Sequence, residues 1–309
     1  MLQGTGEAAG HFGELLQGAI AAETPEGFDE VVVTLPAPIF RCRAMFRPAA
    51  TSTLTVLAHG GWKSLEAARL TLRQLGREGT GGVLHLENGA PAGIGAGSST
   101  LDVVATIRAV ADVYGDPLPA ETVAKLAVAA EGASDPIMFP ASSVPVFAFR
   151  RATVPRWLPR SLPPLRVLGF CDGGPVESLG MRRRFTPVRL AEYAALIERL
   201  CDAIERRDVV SLGEVSSTSA RLSQEHLRKE KLDMAFDIAA RHGAAGVAVA
   251  HSGSLTGLLF DPHATDCDAR VMAARRELMA QGVDAAYDFA AHKAPVRPPA
   301  STVRTAPFT

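Results

Sequence analysis

Two carboxylates stand four residues apart in the stretch Glu131-Gly132-Ala133-Ser134-Asp135-Pro136. If both face one loop, one of them can hold a metal ion while the other accepts a proton. The alternative is a helix that ends at Gly132 and continues into an Asp-Pro turn, which explains the glycine and the proline without any chemistry. A catalytic interpretation therefore depends on which other reactive groups accompany the pair.

The strongest companion is the glycine-rich run from Pro91 to Thr100, Pro-Ala-Gly-Ile-Gly-Ala-Gly-Ser-Ser-Thr. Apolar residues at three- and four-residue steps from Leu101 to Tyr114 predict a helix directly after it, with Ser98 to Thr100 as the N-cap. Such a loop directs backbone N–H groups and the positive end of a helix dipole at one point, which favours phosphate. The run lacks the lysine of a Walker A loop and the glycine spacing of a dinucleotide fingerprint. A linker with incidental glycines is the alternative.

Two further stretches place polar groups among small residues. Gly10 to Gly18 carries Glu14 and Gln17, which can hydrogen-bond a polar small molecule, although a surface turn explains the stretch equally well. His251-Ser252-Gly253-Ser254 falls between two apolar runs and is predicted at a hairpin tip, where an ordinary tight turn is the default. The basic run Met181 to Arg184 is either a solvated segment or a phosphate contact.

Composition narrows the class of protein. A chain of 309 residues with 47% hydrophobic and 21% charged residues is long enough for a large core and two domains. A net charge of −1 gives no indication of a nucleic-acid or membrane surface. The four cysteines are isolated, which is typical of reduced thiols in a cytoplasmic protein. No apolar run reaches the roughly 20 residues of a membrane span, and no signal peptide is visible.

The elements that must position these groups alternate between strands and helices along the chain. Strands are predicted at 30–34, 39–46, 54–58, 81–87, 144–149, 165–171, 246–250, 255–260 and 283–289. Helices are predicted at 65–75, 101–114, 120–130, 188–206, 209–222, 233–242 and 268–281. The Pro- and Arg-rich stretch 151–164 is the predicted domain junction, and the Pro-rich tail 293–309 is predicted to be disordered.

Three of these stretches, in this order, resemble the motifs of the GHMP kinase superfamily, the galacto-, homoserine, mevalonate and phosphomevalonate kinases. Gly13 to Gly18 looks like its first motif, Pro91 to Asp102 like its ATP-phosphate loop, and Ala250 to Gly257 like its third motif. The first and third motifs resemble the form found in the threonine-kinase branch of the superfamily, which acts in cobalamin and propanediol metabolism. Thr218 to Ala220 and Gln224 to Lys229 also resemble that branch.

The resemblance implies an α+β, two-lobed architecture. Residues 1–158 would form an ATP-binding lobe like ribosomal S5 domain 2, and 159–292 a ferredoxin-like lobe, with ATP between them. Mg²⁺ would be held by Ser98 or Ser99 together with Glu131, and Asp135 would be the catalytic base, with Ser98 also catalytic. The residues assigned to ATP are Pro91, Gly93, Ile94, Gly95, Ala96, Gly97, Ser98, Ser99 and Thr100. Those assigned to the substrate are Glu14, Gln17, His251, Ser252, Gly253 and Ser254.

The implied function is transfer of the ATP γ-phosphoryl group to the hydroxyl of a small metabolite, first of all L-threonine. A homoserine or sugar kinase and a non-catalytic ATP-binding regulator are the alternatives. The expected partner is a small hydroxyl acceptor, and a homodimer is one option for the assembly. Two departures stand out. His11-Phe12 replaces the small residues usual in the branch, and Glu131 and Asp135 are closer together than in mevalonate kinases. Homoserine kinase works without such a base, which agrees with phosphoryl transfer as mainly alignment and electrostatics.

Overall fold

The computed structural model describes residues 2–57, 61–140, 142–171, 173 and 183–291. The strands in these residues are β1 (Gly4–Ala21), β2 (Phe28–Ala49), β3 (Leu54–Leu57), β4 (Gly81–Asn88), β5 (Pro145–Ala148), β6 (Thr153–Trp157), β7 (Arg166–Cys171), β8 (Gly246–Val249), β9 (Leu255–Phe260) and β10 (Tyr287–Ala290). The helices are α1 (Trp62–Gln74), α2 (Ser98–Tyr114), α3 (Ala120–Glu131), α4 (Pro187–Arg206), α5 (Val209–Ser223), α6 (Leu232–Arg241) and α7 (Cys267–Ala280). Every predicted helix is present, with small differences at its ends. Across these described ranges no helix is long and apolar enough to cross a membrane.

The first two strands form a long antiparallel pair that carries part of the site. The prediction of two strands between residues 30 and 46 is wrong, because β2 continues through Pro36 and Pro38. The register shifts here, with Ala9 paired to Arg41 but Gly10 to Ala37, so an irregularity accommodates residues without a ladder N–H. The surface-turn alternative for 10–18 is also wrong, because residues 10–19 of β1 are all buried.

Helix α2 lies directly on β1 because the strand has glycines where the two backbones are closest. A Cβ on Gly6 would lie 2.2 Å from the carbonyl oxygen of Ala105, and one on Gly4 would lie 2.2 Å from that of Ala109. Any larger side chain would push the helix away from the strand. The glycines therefore fix the direction of α2 and place its N-terminus beside the middle of β1.

The described strands form one sheet with the order β10-β7-β9-β8-β1-β2-β4-β3, and the β5–β6 hairpin joins it through β2. The C-terminal part, β7, helices, β8, β9, α7 and β10, has the antiparallel order β10-β7-β9-β8, which is the predicted ferredoxin-like arrangement. The two halves of the sheet meet where Glu14 of β1 pairs with Val249 of β8. A substrate-binding candidate thus lies at the junction of the lobes.

The hydrophobic core has two parts. One extends from β1 and β2 under α1 to α5 and includes Leu101 and Leu200. The other lies between β7–β9 and the helices α6 and α7, and includes Ile238 and Val271. The predicted domain limits 1–158 and 159–292 remain predictions; the stretch taken as the junction contains strand β6. Ala58, Met181, Arg182 and the tail 293–309 lie outside the described residues.

Candidate active site

The glycine loop ends in a helix cap that contains no side chain. Gly97 is the N-cap of α2, so the predicted cap of Ser98 to Thr100 is wrong. Gly93, Gly95 and Gly97 have φ values of +77°, +92° and +70°, in the left-handed region that favours glycine. Since the cap uses only backbone, the hydroxyls of the first helical turn are available for other partners, and its N–H groups suit an anion.

The loop borders a cavity of about 260 Å³. The cavity is lined by the loop and α2 residues Gly93, Gly95, Ala96, Gly97, Ser98, Ser99 and Thr100, and by Lys63, Glu131, Ala133, Ser134, Asp135, Phe149, His251 and Ser252. Groups predicted from three separate stretches of sequence therefore share one cavity. Pro91, Ile94, Glu14, Gln17, Gly253 and Ser254 lie outside this lining.

At one end of the cavity, hydroxyls surround the carboxylate of Glu131. Ser99 Oγ donates to Glu131 Oε2 at 2.7 Å, and Thr100 Oγ1 lies 2.9 Å from Oε1. Lys63 Nζ donates to Ser99 Oγ at 2.9 Å and lies 3.9 Å from Glu131 Oε2. Burial raises the pKa of Glu131 to about 7 despite these hydrogen bonds. A buried carboxylate beside serine oxygen is a donor set that fits Mg²⁺, whose charge would favour the ionised form.

Ser98 has a different role from Ser99. Asn88 Nδ2 donates to the backbone oxygen of Ser98 at 2.9 Å and to Asp102 Oδ1 at 2.8 Å, and it lies 3.3 Å from Ser98 Oγ. Asn88 thereby ties the end of β4 to the first turn of α2. Ser98 lines the cavity, as predicted, but Ser99 is the serine that contacts Glu131, so the metal-binding and catalytic roles of Ser98 remain predictions.

At the other end of the cavity, two imidazoles face two carboxylates. His11 Nε2 lies 3.0 Å from Asp135 Oδ2, and His11 Nδ1 lies 3.7 Å from Glu14 Oε2. His251 Nδ1 contacts Glu14 Oε1 closely and lies 3.9 Å from Asp135 Oδ1. Each carboxylate is thus within ion-pair distance of both imidazoles, in a part of the molecule where His11 and Glu14 are almost completely buried.

The charges of this cluster stabilise one another. Burial disfavours the imidazolium form of His11, but the carboxylates of Asp135 and Glu14 outweigh burial and raise its pKa to about 9. Burial alone would raise the pKa of Asp135, yet His11 and His251 hold it well below its usual range. His11, Glu14 and Asp135 offer possible metal-ligand atoms within 4.8 Å of one another. Because the His11 imidazole already compensates charge in this cluster, the oxygen donors around Glu131 fit Mg²⁺ better.

The turn at 251–254 packs directly on the glycine loop. The backbone N–H groups of Ser254 and Leu255 donate to the carbonyl oxygen of Ile94 at 2.8 and 3.0 Å. A Cβ on Gly95 would lie 2.1 Å from the carbonyl oxygen of Ser252, and one on Gly253 would lie 2.2 Å from Gly95 N. Backbone contacts of Ile94, Gly253 and Ser254 therefore shape the site, although none of the three residues lines the cavity.

Gln17 was predicted to contact substrate, but its side chain joins the lobes. Its Nε2 donates to the carbonyl oxygen of Val249 at 3.1 Å, and its backbone N–H donates to Ser219 Oγ at 2.9 Å. Of the basic run at 181–184, Arg183 is half-buried rather than fully solvated. It donates to the carbonyl oxygen of His251 at 2.8 Å and lies 3.6 Å from Glu30 Oε2.

The departure at His11-Phe12 separates into two effects. Phe12 is completely buried and packs against Phe40, Tyr287 and Phe289. Gly169 provides the space for it, because a Cβ there would lie 2.2 Å from the Phe12 ring. Phe12 is therefore a core residue, whereas His11 belongs to the charged cluster.

A second, larger cavity of about 520 Å³ is lined mainly by prolines and small or apolar side chains, among them Pro136, Pro163 and Ala291. The carboxylates and the glycine loop face the smaller cavity instead. Sequence reasoning did not assign Lys63, Asn88 or His11 to the site. Their only local signals are a lysine near a helix start, an asparagine at a strand end and a histidine in a glycine-rich stretch.

Comparison with known proteins supports the family resemblance. Residues 63–142, which include Lys63, the glycine loop, Glu131 and Asp135, match the GHMP kinases N terminal domain. This stretch is therefore similar in sequence to a GHMP kinase N-terminal domain, and the chain shares its fold with solved structures of GHMP kinases. Among curated proteins it is similar to an L-threonine kinase from Citrobacter freundii, with 27% identity over 201 residues, or 60% of this chain. The match spans 64% of the length of that relative.

Solved structures share the fold at low sequence identity. A homoserine kinase from Cytophaga hutchinsonii superimposes with a TM-score of 0.67 at 14% identity, covering 94% of each chain. A structure described as MDDEF in complex with MVAPP, AMPPCP and magnesium has a TM-score of 0.66 at 13% identity, covering 94% of this chain and 98% of the other.

Proposed function

We propose that this protein is an ATP-dependent kinase that phosphorylates the hydroxyl of a small metabolite, with L-threonine as the preferred acceptor. The observation that carries the proposal is the shared cavity. It combines the start of α2, which has no side-chain cap, with two buried carboxylates. Serine and threonine hydroxyls contact Glu131, and a histidine pairs with Asp135. These are the groups needed for binding phosphate, for holding Mg²⁺ and for accepting a proton.

The nucleotide end consists of the glycine loop, the first turn of α2 and Lys63. Backbone N–H groups at the start of α2 would bind the β- and γ-phosphates, and the Lys63 ammonium would neutralise part of their charge. Glu131 and Ser99 would hold Mg²⁺, which supplies charge neutralisation and alignment of the phosphates when bound. A GHMP-fold structure described with AMPPCP, an ATP analogue, and magnesium supports this pair of ligands.

The acceptor end is formed by Asp135, His251 and Phe149. The acceptor hydroxyl oxygen would form a bond to the γ-phosphorus as the bond from that phosphorus to the bridging oxygen of ADP breaks. The hydroxyl proton would pass to Asp135, and ADP leaves with the bridging oxygen. Since His11 and His251 hold the pKa of Asp135 low, its carboxylate stays ionised and can accept a hydrogen bond from the acceptor hydroxyl. The proton would be transferred as the hydroxyl oxygen bonds to phosphorus, which makes the hydroxyl more acidic.

Two observations favour a hydroxy amino acid over a neutral sugar as the acceptor. The curated relative is named L-threonine kinase. The acceptor end also presents the Asp135 carboxylate and a ring nitrogen of His251, 3.9 Å apart. A zwitterion offers an ammonium and a carboxylate to such a pair, whereas a sugar offers only hydroxyls.

The test is an ADP-release assay with MgATP and a panel of L-threonine, L-serine, L-homoserine and galactose. We expect the highest kcat/KM with L-threonine and phosphothreonine as the product. Preference for homoserine or galactose would overturn the acceptor assignment but keep the kinase. A thermal shift with ATP and no ADP release with any acceptor would favour a non-catalytic regulator.

Removal of one hydroxyl tests the nucleotide end. Ser99→Ala should lower kcat at limiting Mg²⁺ by at least about tenfold, since it removes an oxygen beside Glu131. Ser98→Ala in parallel shows which serine is used, and Ser161→Ala, on an exposed residue, is the matched control. Equal and full activity of the Ser98 and Ser99 variants at every Mg²⁺ concentration would contradict the assigned metal site.

A further inference from the structure

The side chain of His11 is buried between the glycine loop and the base candidate, in a place where substrate does not reach. Only 2% of the residue is exposed, and it lies outside the cavity lining. A Cβ on Gly97 would lie 2.8 Å from His11 Nε2 and 3.4 Å from Asp135 Oδ2. The last glycine of the loop therefore leaves the space in which the His11–Asp135 pair fits.

The two oxygens of Asp135 have different surroundings. Oδ2 lies 3.0 Å from His11 Nε2 and 3.3 Å from Thr100 Oγ1. Oδ1 lies 3.9 Å from His251 Nδ1, which is beyond hydrogen-bond distance. Because Oδ2 faces His11 at ion-pair distance and Thr100 covers it, Oδ1 is the oxygen left for an acceptor hydroxyl.

We propose that His11 is a positioning residue for phosphoryl transfer, which holds Asp135 by Oδ2 and presents Oδ1 to the acceptor hydroxyl. This inference rests on the proposed kinase function. His11 acts through Asp135 and does not itself touch substrate. A second couple, Glu14 with His251, supports the arrangement, because Glu14 also faces His11 at 3.7 Å and fixes the side chain of His251.

His11 does this best as a cation, because an imidazolium faces Asp135 Oδ2 and also compensates the buried carboxylate charge. Several charged groups surround the couple from the neighbouring elements. Glu14 lies on β1 with His11, and the others are Asp135 and Glu131 near the end of α3, Lys63 on α1, His251 on the turn before β9, and Arg183 before α4. The nearest of them to His11 are carboxylates, so the local field favours its protonated form.

The experiment compares His11→Gln and His11→Asn with the wild-type enzyme. A glutamine amide can donate from a position near that of imidazole Nε2, whereas an asparagine amide matches Nδ1 and points away from Asp135. We expect kcat to fall in the order wild type, His11→Gln, His11→Asn, with a loss of about 10- to 100-fold for Asn. KM for ATP should change less than about twofold, since the nucleotide end is untouched.

A pH profile distinguishes positioning from general structural damage. Without the imidazolium, the pKa of Asp135 rises, and the acidic limb of kcat moves to higher pH in both variants. The matched control is His85→Gln, because His85 forms an exposed pair with Glu87, 3.9 Å apart, on β4. We expect its kcat and pH profile to equal those of the wild type.

A third measurement does not depend on activity. NMR titration of the His11 imidazole in the resting protein should give a pKa well above that of a free histidine, and Asp135→Asn should lower it by more than one unit. Wild-type kcat and pH profile in a folded His11→Asn variant, or a His11 pKa that Asp135→Asn leaves unchanged, would overturn the inference. A wild-type protein that phosphorylates no acceptor would overturn the proposed function instead, while a shifted His11 pKa would still establish the couple.

Discussion

The two ends of the cavity contain similar carboxylates whose pKa values are shifted in opposite directions. Glu131 and Asp135 are both buried, come from one short stretch, and share Thr100, whose hydroxyl lies 2.9 Å from Glu131 and 3.3 Å from Asp135. Burial raises the pKa of Glu131 to about 7, whereas His11 and His251 lower that of Asp135. The difference lies in the nearest basic side chain: His11 Nε2 lies 3.0 Å from Asp135, while Lys63 approaches Glu131 only to 3.9 Å.

This difference in charged partners suits one carboxylate to metal binding and the other to proton transfer. A carboxylate that is short of positive charge suits a divalent cation, because the ion supplies the charge that burial demands. A carboxylate that already has a cation stays ionised without metal, so it can accept a hydrogen bond from a hydroxyl and take its proton as the hydroxyl oxygen bonds to phosphorus. Under the proposed function, the partners of each acid thus assign metal binding to Glu131 at the end of α3 and proton transfer to Asp135 four residues later.

The largest effect is expected at Asp135. Asp135→Asn should reduce kcat by about 10²- to 10⁴-fold, because the proton acceptor is lost while the nucleotide end is kept. ADP release under saturating MgATP and acceptor measures it, and Asp116→Asn, on an exposed turn, is the control. If more than a tenth of the activity remained, alignment and charge neutralisation alone would account for catalysis, as in homoserine kinase.

The next effect concerns Glu131. Glu131→Gln should raise the Mg²⁺ concentration needed for half-maximal rate by at least about tenfold, since a metal ligand loses its charge. Titration of Mg²⁺ at fixed ATP measures this, and Glu121→Gln is the exposed control on the same helix. An unchanged Mg²⁺ requirement would mean that the two carboxylates do not differ in the way proposed.

A smaller effect is expected for Lys63. Lys63→Met should raise KM for ATP by roughly tenfold, because one charge-assisted contact to phosphate is lost. The effect on KM for the acceptor should be slight, since Lys63 lies at the nucleotide end. Lys125→Met, exposed on α3, serves for comparison. A larger change in the KM for the acceptor than in the KM for ATP would contradict the assignment of Lys63 to the nucleotide end.

The two ends also differ in how pH affects the stability of the metal-free protein. The folded pKa of Glu131, about 7, lies above its ordinary 4.5, so its neutral form stabilises the fold at low pH and that stability is lost between pH 4.5 and 7. The folded pKa of His11, about 9, lies above 6.5, so its contribution is complete below pH 6.5 and is lost up to pH 9. Urea unfolding at several pH values should show Glu131→Gln flattening the first window and His11→Gln the second. Equal curves for both variants would contradict the comparison.

The smallest effect is expected at Gln17, which joins the lobes. Gln17→Leu should lower the free energy of unfolding by about 1 kcal/mol, through loss of the buried hydrogen bond to Val249. KM for the acceptor should stay within error, and chemical denaturation with steady-state kinetics checks both statements. A large rise in acceptor KM with normal stability would restore the substrate role predicted from sequence.

The glycine loop was predictable because its signal is local. Alternate glycines, serines and a following apolar period occupy one continuous run, so a segment of sequence was enough to predict a phosphate-binding helix start. Even there the cap was predicted wrongly, because Ser98 to Thr100 have the right chemistry for a cap and the structure uses the left-handed Gly97 instead.

The acceptor end was less predictable because its partners come from three distant stretches. The pKa of His11 is raised by Asp135, and the side chain of Glu14 contacts His251. Both partners are distant in sequence, so the residues next to His11 and Glu14 give no sign of their roles. Gln17 is a case in which a local signal omits a long-range contact. Its amide is predicted to contact substrate, and only the structure shows the hydrogen bond from Gln17 to Val249.

The carbonyl oxygen of Ile94 accepts hydrogen bonds from the N–H groups of both Ser254 and Leu255. Those two amide protons belong to the C-terminal half, yet their exchange with solvent requires the nucleotide loop to move. They are built-in reporters of loop opening, readable by hydrogen–deuterium exchange without any label in the loop itself. The same shared oxygen ties the C-terminal half to the glycine loop, so a motion that separates them must break both hydrogen bonds.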